Sequence, residues 1–432
     1  MHTCAPGWLT CAYAQGDVLT SFKTSCLKKG LGVGYYYSLG SLKSGLGLTT
    51  EQLMDIELQQ MTELWTTYGN DGNLTEIWFD GGFAGVLEPK IKSMLAKMQP
   101  HAAAFNGCVV KGGDQSKDTC ITANSLRWIG TEAGVAPDPN WSSGFNKGGD
   151  PASDMFCPSE SDTTLQNGDA WFYNNRPGDI RTLEELQAVY HGTVGRNSFL
   201  MMDFAPNQDG LIAPDQVARY KQFGDWQKSC YAAAGTQHGQ LGIVEHELGS
   251  ATNPSGREEL TLQLAVPSTI DRVVVREDQT QGQMIRGWNI SVQLGSSADW
   301  TTVASGSSMG NKWITLLPGN LSGVTALKAM VTASAAPKGA LAKIRSLSAH
   351  LCSRAGTQGK ACTLRQNWAA DGISPTVLHG KNVAECCAAC TASKSCALFV
   401  VTIANAATCT LYDATGVGGK AIPGAVTGSP PR

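Results

Sequence analysis

The sequence predicts a multidomain protein: an α/β segment, then an all-β sandwich, then a small disulfide-rich α+β unit. Three observations lead to this prediction. Strand-like and helix-like segments alternate over 17–232, short strand-like runs follow one another over 240–352, and six of the 14 cysteines lie in the stretch from Cys362 to Cys409. A chain of 432 residues has room for two or three domains.

The α/β segment is predicted from apolar periodicity and from helix stop signals. Apolar residues recur every three to four positions over 50–69, where Gly69 is a typical C-terminal stop. Single apolar runs that alternate with helices indicate a parallel sheet covered by helices. Six strands suit a doubly wound sheet, whereas a (β/α)8 barrel needs eight, so the number of strands does not decide between them. The predicted strands are 31–39, 76–80, 102–110, 126–130, 169–173 and 197–205, and the predicted helices are 17–29, 50–69, 86–98 and 213–232.

The remainder of the chain changes character after residue 235. Runs such as "DRVVVRED" and "WNISVQLG" are closely spaced and separated by Gly, Asn and Ser, which predicts a sandwich of seven or eight strands over 236–352. Residues 353–415 are dense in cysteine and too few to hold a core without disulfides. The Gly/Pro-rich segment 416–432 is predicted to be a flexible tail, and the α/β domain is assigned to 1–235.

Charge and cysteine content limit the possible functions. The net charge is −3 and no run of Lys or Arg exceeds a pair, so the basic surface expected of a nucleic-acid-binding protein is absent. No apolar stretch reaches the length of a membrane span. The clustered cysteines and four glycosylation sequons predict the secretory pathway, extracellular or lysosome- or vacuole-like, with a leader upstream of residue 1. The sequons are at Asn73, Asn140, Asn289 and Asn320.

Several short motifs do not support a site. Ser308 lies in a G-x-S-x-G match, but no helix follows it as a nucleophile elbow requires. The glycines of 30–34 precede a strand and read as a turn, and the scattered histidines do not support a metal site. Six cysteines are expected to form structural disulfides, with fifteen possible pairings. They are Cys362, Cys386, Cys387, Cys390, Cys396 and Cys409.

Two carboxylates at strand ends are the strongest candidates for chemistry. Asp80 closes "EIWFD" and Glu132 follows "LRWIG", so both are expected at the carboxyl edge of one sheet. Glycoside cleavage needs such a pair, one acid to attack the sugar carbon and one to protonate the leaving oxygen. The alternative interpretation is that Asp80 caps the following helix and that Glu132 pairs with Arg127. Nearby aromatic residues could provide surfaces for a sugar ring.

Five ordered segments resemble the α-L-fucosidases of glycoside hydrolase family 29, in the branch acting on α-1,3/1,4-linked fucose. They are "GVGYYYS", "ELWTTYGNDGNLTEIWFDGG", "RWIGTEAG", "PSESD…WFY" and "GTVGRNSFLMMDFAPNQDGLI". The resemblance implies that Asp80 is the nucleophile and Glu132 the general acid/base of a retaining reaction, with the two carboxyl groups about 5–5.5 Å apart. It implies terminal fucose on glycans as substrate and no cofactor. The candidate sugar contacts are Tyr36, Trp78, Trp128, Trp171 and Arg127.

The sequence also departs from the family pattern. The first two strands of the family's (β/α)8 barrel, with their histidine motif, have no counterpart, which predicts an incomplete, N-terminally truncated TIM-like barrel. Asp203 stands where the family usually has Asn. The alternative function is therefore a catalytically dead fragment that binds carbohydrate or protein, or mediates adhesion, through its C-terminal domains.

Two C-terminal segments carry further resemblances. "DRVVVREDQTQGQMIRGWNISV" resembles a galactose-binding-like, discoidin-type sandwich, which either packs against the barrel or recognises sugar. "AECCAACTASKSCALFVV" resembles a PAN/apple module, for which the resemblance implies a protein or carbohydrate ligand.

Overall fold

The structure is a computed structural model that describes residues 17–38, 47–109, 119–231, 239–245, 259–335, 342–352 and parts of 363–429. It divides into two compact units. The first comprises Met1–Trp128 and Met155–Cys157, and the second comprises Ile129–Asp154 and Pro158–Arg432. None of the helices within these described ranges is both long and apolar enough to cross a membrane.

The first unit is an α/β arrangement. Its helices are α1 (Val18–Lys28), α2 (Thr50–Thr66) and α3 (Glu88–Met98), and its strands are β1 (Gly34–Ser38), β2 (Glu76–Asp80), β3 (Ala103–Phe105), β4 (Cys108–Val109), β5 (Thr119–Cys120) and β6 (Ser125–Trp128). Strands β1, β2, β3 and β6 pair in parallel, in that order. Helix α2 begins at a capping box formed by Thr49 and Gln52. Ile77 and Phe79 of β2 are fully buried in a core shared with Trp65 of α2 and Ile91 of α3.

The second unit begins with two more parallel strands and two helices. They are β7 (Ser159–Thr164), α4 (Leu183–Gly192), β8 (Ser198–Asp203) and α5 (Pro214–Tyr231), and β7 pairs in parallel with β8. Six described strands thus pair in parallel, as many as predicted, but one prediction is wrong: 169–173 is a loop and β7 is the strand. Gly168 and Asp169 have positive φ values of 70° and 53°, which turn the backbone away from an extended course.

An antiparallel sheet follows in the second unit. Its strands are β9 (Gly239–Glu245), β10 (Glu259–Glu277), β11 (Ile285–Leu294), β12 (Thr301–Gly306), β13 (Trp313–Ser334) and β14 (Ile344–Leu351), in the order β12-β11-β13-β10-β14-β9. The prediction of seven or eight short strands is partly corrected: six described strands form one antiparallel sheet, because predicted runs merge into the long, bulged strands β10 and β13. Trp288 is buried in the core of this sheet.

A second antiparallel sheet lies in the cysteine-rich region. Its strands are β15 (Thr363–Ile373), β16 (Thr376–His379), β17 (Leu398–Thr402), β18 (Thr408–Tyr412) and β19 (Ala414–Ser429), in the order β15-β19-β17-β18-β16. In contrast to the flexible tail predicted for 416–432, residues up to Ser429 form β19, because their backbone pairs with β15 and β17. Disulfides join Cys386 to Cys409 and Cys390 to Cys396. The candidates Cys362 and Cys387 lie outside the described residues.

Within the described ranges, two further disulfides were not predicted from the sequence. Cys108 is bonded to Cys120 across the paired strands β4 and β5. Cys230, in α5, is bonded to Cys352 at the end of β14, over a sequence separation of 122 residues. Neither pair belongs to the cysteine cluster, and a separation of that length leaves no local signal in the sequence.

The four asparagines predicted to be glycosylated differ in how exposed they are. Asn73 and Asn320 are exposed and Asn289 is partly buried. Asn140 is fully buried, and its Nδ2 donates hydrogen bonds to Ser159 Oγ at 2.8 Å and to two backbone carbonyls. Because a buried amide that donates these bonds has no room for a glycan, the prediction of glycosylation at Asn140 is wrong.

The contact of α4 and α5 with the antiparallel sheet contains two neutral histidines. His350 Nδ1 lies 2.9 Å from the backbone oxygen of Cys230 and Nε2 lies 2.8 Å from Ser348 Oγ, so the ring donates at Nδ1 and accepts at Nε2. Burial, with the nearby Arg272 cation, lowers the pKa of His350 to about 4. Burial also holds the pKa of His191 well below its ordinary value, with Arg272 and Lys312 lowering it further.

Acidification is expected to destabilise the second unit. Below about pH 6.5 the unfolded chain binds protons at His350 that the folded chain does not bind until about pH 4, so the free energy of unfolding falls over this interval. The loss for this histidine reaches about 3 kcal/mol. Chemical unfolding at several pH values measures it. His350→Gln should flatten the curve, whereas the exposed control His101→Gln should not; parallel curves for both variants would contradict the expectation.

Candidate active site

The pairing of β1, β2 and β3 brings aromatic side chains and Asp80 to one face of the sheet. Tyr36 lies opposite Trp78, and Trp78 lies opposite Phe105. The Tyr36 and Trp78 ring centroids are 5.4 Å apart with planes inclined by 21°, and the Trp78 and Phe105 centroids are 4.0 Å apart with planes inclined by 3°. Asp80 is two residues beyond Trp78, so its side chain emerges on this aromatic face.

Asp80 is exposed at the carboxyl end of β2 and is held by a tyrosine. The Tyr36 hydroxyl donates a hydrogen bond to Asp80 Oδ2 at 2.5 Å. Burial, and then this hydrogen bond, raise the pKa of Tyr36 to about 12, so the hydroxyl keeps its proton at neutral pH. Gly81 and Gly82 follow with φ values of 69° and 73°, a backbone conformation that glycine adopts without strain.

The alternative of Asp80 as a helix cap is wrong. Helix α3 begins at Glu88, and the residue at its N-cap position is Leu87, which makes no side-chain capping bond. Asp80 therefore serves neither the helix nor its first turn. Its carboxylate accepts a hydrogen bond from Tyr36 instead.

Glu132, in the second unit, is exposed and bonded to a tryptophan. Trp171 Nε1 donates to Glu132 Oε2 at 3.1 Å. Trp171 is in a loop and not on the strand predicted for it. Gln166 holds this loop, since its Nε2 donates to the backbone oxygens of Ala170 at 2.8 Å and Phe172 at 3.0 Å. The structure thus places Glu132 beside one of the aromatic residues predicted to contact sugar.

A third acid stands at the end of β8. Asp203 is half-buried, and its backbone pairs with that of Thr164 at the end of β7. Burial raises the pKa of Asp203 to about 6. The sequence identified this residue only as a departure from the family pattern.

The two candidates on β6 differ in exposure. Trp128 is 37% exposed, as a sugar contact requires, whereas Arg127 is only 3% exposed. Burial lowers the pKa of Arg127 to about 10, with the Cys157 side chain acting in the opposite direction. A guanidinium group with so little accessible surface is a structural cation in this fold, and the predicted substrate contact of Arg127 is not supported. In the described part of the chain, no group of three or more His, Cys, Asp and Glu could hold a metal ion.

Asp80 and Glu132 are exposed acids beside aromatic rings, and Asp80 lies at the carboxyl end of a parallel strand. Both features are typical of glycoside hydrolase sites. The sequence model of the alpha-L-fucosidase family matches residues 8–230, which is more than half of the chain. The chain therefore belongs to the alpha-L-fucosidase family.

Individual relatives agree with this assignment. Alpha-L-fucosidase 1 of Arabidopsis thaliana is 26% identical over 336 residues, 69% of this chain, and the chain spans 62% of the length of that relative. A crystal structure of a Bacteroides thetaiotaomicron protein assigned to the alpha-L-fucosidases is 26% identical, with a TM-score of 0.62 over 78% of this chain and 76% of its own. A Ruminococcus gnavus family 29 fucosidase in complex with fucose is similar in fold, at 18% identity and a TM-score of 0.60 over 79% of this chain and 76% of its own.

Proposed function

We propose that the chain is a retaining, exo-acting α-L-fucosidase that removes terminal fucose from glycans. The observation that carries this proposal is the position of Asp80, a carboxylate at a parallel strand end, on an aromatic face and oriented by Tyr36. Family membership supports α-linked fucose as the substrate class, and the fucose bound by the Ruminococcus gnavus relative supports the same sugar.

In the proposed first step, an Asp80 carboxylate oxygen attacks the anomeric carbon of fucose. The glycosidic C–O bond breaks, and the Glu132 carboxyl group transfers its proton to the leaving oxygen. The step leaves a covalent fucosyl ester on Asp80, an ionised Glu132 and the free aglycone. The stacked rings of Tyr36 and Trp78 offer an apolar surface to the sugar.

In the proposed second step, the ionised Glu132 takes a proton from water as the water oxygen attacks the anomeric carbon. The ester bond to Asp80 breaks, which restores the carboxylate of Asp80 and the protonated Glu132. The net reaction consumes one water and releases fucose with the anomeric configuration of the substrate. Asp203, half-buried at the end of β8, is not needed for either step.

The two C-terminal domains are proposed to tether the catalytic domain to a ligand. The antiparallel sheet of β9–β14 supports assignment as a galactose-binding-like sandwich over 236–352, and the disulfides Cys386–Cys409 and Cys390–Cys396 support a PAN/apple-like module over 353–415. The ligand of that module is proposed to be protein or carbohydrate. Disulfides in both units support folding in the secretory pathway.

Hydrolysis of 4-nitrophenyl α-L-fucoside and of an α-1,3/1,4-fucosylated trisaccharide tests the proposal. Proton NMR of the product, recorded before mutarotation, should show the α-anomer of fucose first. Release of β-fucose would contradict a covalent mechanism, and absence of turnover on both substrates would contradict the enzyme itself.

Tyr36→Phe is expected to reduce kcat about tenfold, because it removes a hydrogen bond to a charged oxygen that fixes the attacking carboxylate. Steady-state kinetics on 4-nitrophenyl α-L-fucoside measure the effect. The neighbouring Tyr37→Phe is a matched control, since Tyr37 donates instead to Gln60 Oε1 at 2.6 Å. Equal effects of the two substitutions would contradict orientation of Asp80 by Tyr36.

A further inference from the structure

Glu132 belongs to an irregular segment that neighbouring elements hold by hydrogen bonds. The Glu132 loop, defined as residues 129–154, contains no helix and none of the strands β1–β19. Four residues after Glu132, the amide of Ala136 donates to the oxygen of Gly192 at 2.8 Å, and Arg196 Nη1 donates to the Ala136 oxygen at 3.3 Å. A catalytic group on a loop needs such supports, because loops lack the regular backbone bonds of helices and sheets.

The antiparallel sheet holds the backbone of this loop through side chains. The amide of Ser142 donates to Gln283 Oε1 at 2.6 Å, and Gln279 Nε2 donates to Ser142 Oγ at 2.9 Å. The amide of Asn140 donates to Ser308 Oγ at 3.1 Å. Ser142, Gln283 and Ser308 are buried, so these bonds form away from water, where leaving a donor unpaired is costly.

A cation from the same sheet holds the far end of the loop. Arg286 Nη2 donates to the Pro151 oxygen at 2.6 Å, and its Cζ lies 4.8 Å from the centre of the Trp141 ring. Arg286 Nη1 also donates to the Gln283 backbone oxygen at 3.0 Å. One arginine therefore ties the loop to the turn that carries Gln283.

Asn197 completes the attachment from the start of β8. Its Nδ2 donates to Ser142 Oγ at 2.9 Å and to the Asn140 oxygen at 3.2 Å, while its Oδ1 accepts from the amide of Asn311 at 2.7 Å. Its φ of 56° is a left-handed conformation that asparagine tolerates better than most residues. Asn197 thus bonds to the loop with one end of its amide and to the sheet with the other.

The turn that presents Gln283 is itself fixed by a buried carboxylate. Glu277 is 2% exposed, and its Oε1 accepts from the amides of Met284 at 2.5 Å and Ile285 at 2.8 Å. Its Oε2 accepts from the amide of Gly310 at 3.0 Å. Glu277 therefore fixes the backbone next to Gln283, and Gln283 in turn accepts the hydrogen bond from Ser142.

We propose that Gln283 and Asn197 are positioning residues for the general acid/base, which they hold in place through Ser142 and the Glu132 loop. This inference rests on the proposed function. Proton transfer to the leaving oxygen requires Glu132 at hydrogen-bond distance, and a small displacement of a catalytic group lowers the rate steeply. The antiparallel sheet therefore affects the reaction indirectly, through the position of Glu132.

Leaving groups of different acidity test this inference. A misplaced acid slows departure of a sugar alcohol, which needs the proton, more than departure of 4-nitrophenolate, which does not. Gln283→Ala is expected to lower kcat/KM at least tenfold more for a fucosylated trisaccharide than for 4-nitrophenyl α-L-fucoside. Gln293→Ala, on β11 and bonded to the Ala298 oxygen of its own hairpin, is the matched control and should leave both values unchanged.

Equal losses on the two substrates, or no loss, would overturn the inference. If Gln283→Ala does not fold, Gln279→Ala removes a partly exposed donor to Ser142 and must show the same selective loss. Amide hydrogen exchange over 131–139 is a readout that does not depend on activity. It should accelerate in Gln283→Ala and not in Gln293→Ala. An inactive wild type would contradict the proposed function, while unchanged exchange would contradict the positioning role alone.

Discussion

Asp80→Ala is expected to lower kcat/KM for 4-nitrophenyl α-L-fucoside by about 10³-fold or more, because it removes the atom that forms the covalent intermediate. Asp80 is exposed and outside the buried core, so the variant should fold as the wild type does. Steady-state kinetics and thermal unfolding, measured on the same preparations, separate the two effects. Asp55→Ala, at an exposed position of α2, is the matched control and should retain full activity.

Added azide makes the same experiment diagnostic. With the carboxylate gone, azide can attack the anomeric carbon from the side that Asp80 occupied, with inversion, and should yield β-L-fucosyl azide. Restored turnover with this product identifies the vacated position as that of the nucleophile. Asp80→Ala activity within tenfold of the wild type would contradict the assignment.

Glu132→Gln is expected to have a large effect that depends on the leaving group. The amide cannot supply a proton, so kcat/KM for a fucosylated trisaccharide should fall about 10²–10⁴-fold, while 4-nitrophenyl α-L-fucoside, whose leaving group needs no proton, should lose much less. Competition and single-turnover assays on the two substrates measure the difference. Glu184→Gln, on the exposed side of α4, serves as the control.

The second step gives Glu132 an independent signature. Water requires a base to attack the covalent intermediate, whereas azide does not, so azide should accelerate turnover of Glu132→Gln and yield α-L-fucosyl azide. The opposite anomers expected from the Asp80 and Glu132 variants distinguish the two roles. A uniform loss on both substrates, without azide rescue, would indicate that Glu132 serves structure and not proton transfer.

The part of the site built on β2 could be predicted because its local pattern is strong. Ile77 and Phe79 are buried as the apolar run requires, and Asp80 ends the strand before two glycines. The strand β7 was missed for the opposite reason: its residues, "SESDTT", are all polar and all buried. Hydrogen bonds take the place of apolar contacts there, for example the 2.9 Å bond between Ser161 Oγ and Ser198 Oγ. A strand held in this way cannot be recognised from hydrophobic periodicity.

Contacts between segments that are far apart in the sequence could not be predicted from sequence patterns. Asn197 and Gln283 are 86 residues apart, yet both act on Ser142. Trp171 donates to Glu132, but its loop conformation depends on bonds from Gln166 that composition does not reveal. The same limit explains the glycosylation error at Asn140, where burial overrides a valid sequon.

The most direct measurement is identification of the residue that carries the sugar in the covalent intermediate. A 2-deoxy-2-fluoro-L-fucosyl fluoride slows hydrolysis of the ester, so the labelled protein can be digested and its peptides fragmented by mass spectrometry. We predict one fluorofucosyl group per chain, attached to Asp80 and absent from Asp80→Ala. A label on another carboxylate, or an active enzyme that accumulates no label, would contradict Asp80 as the nucleophile.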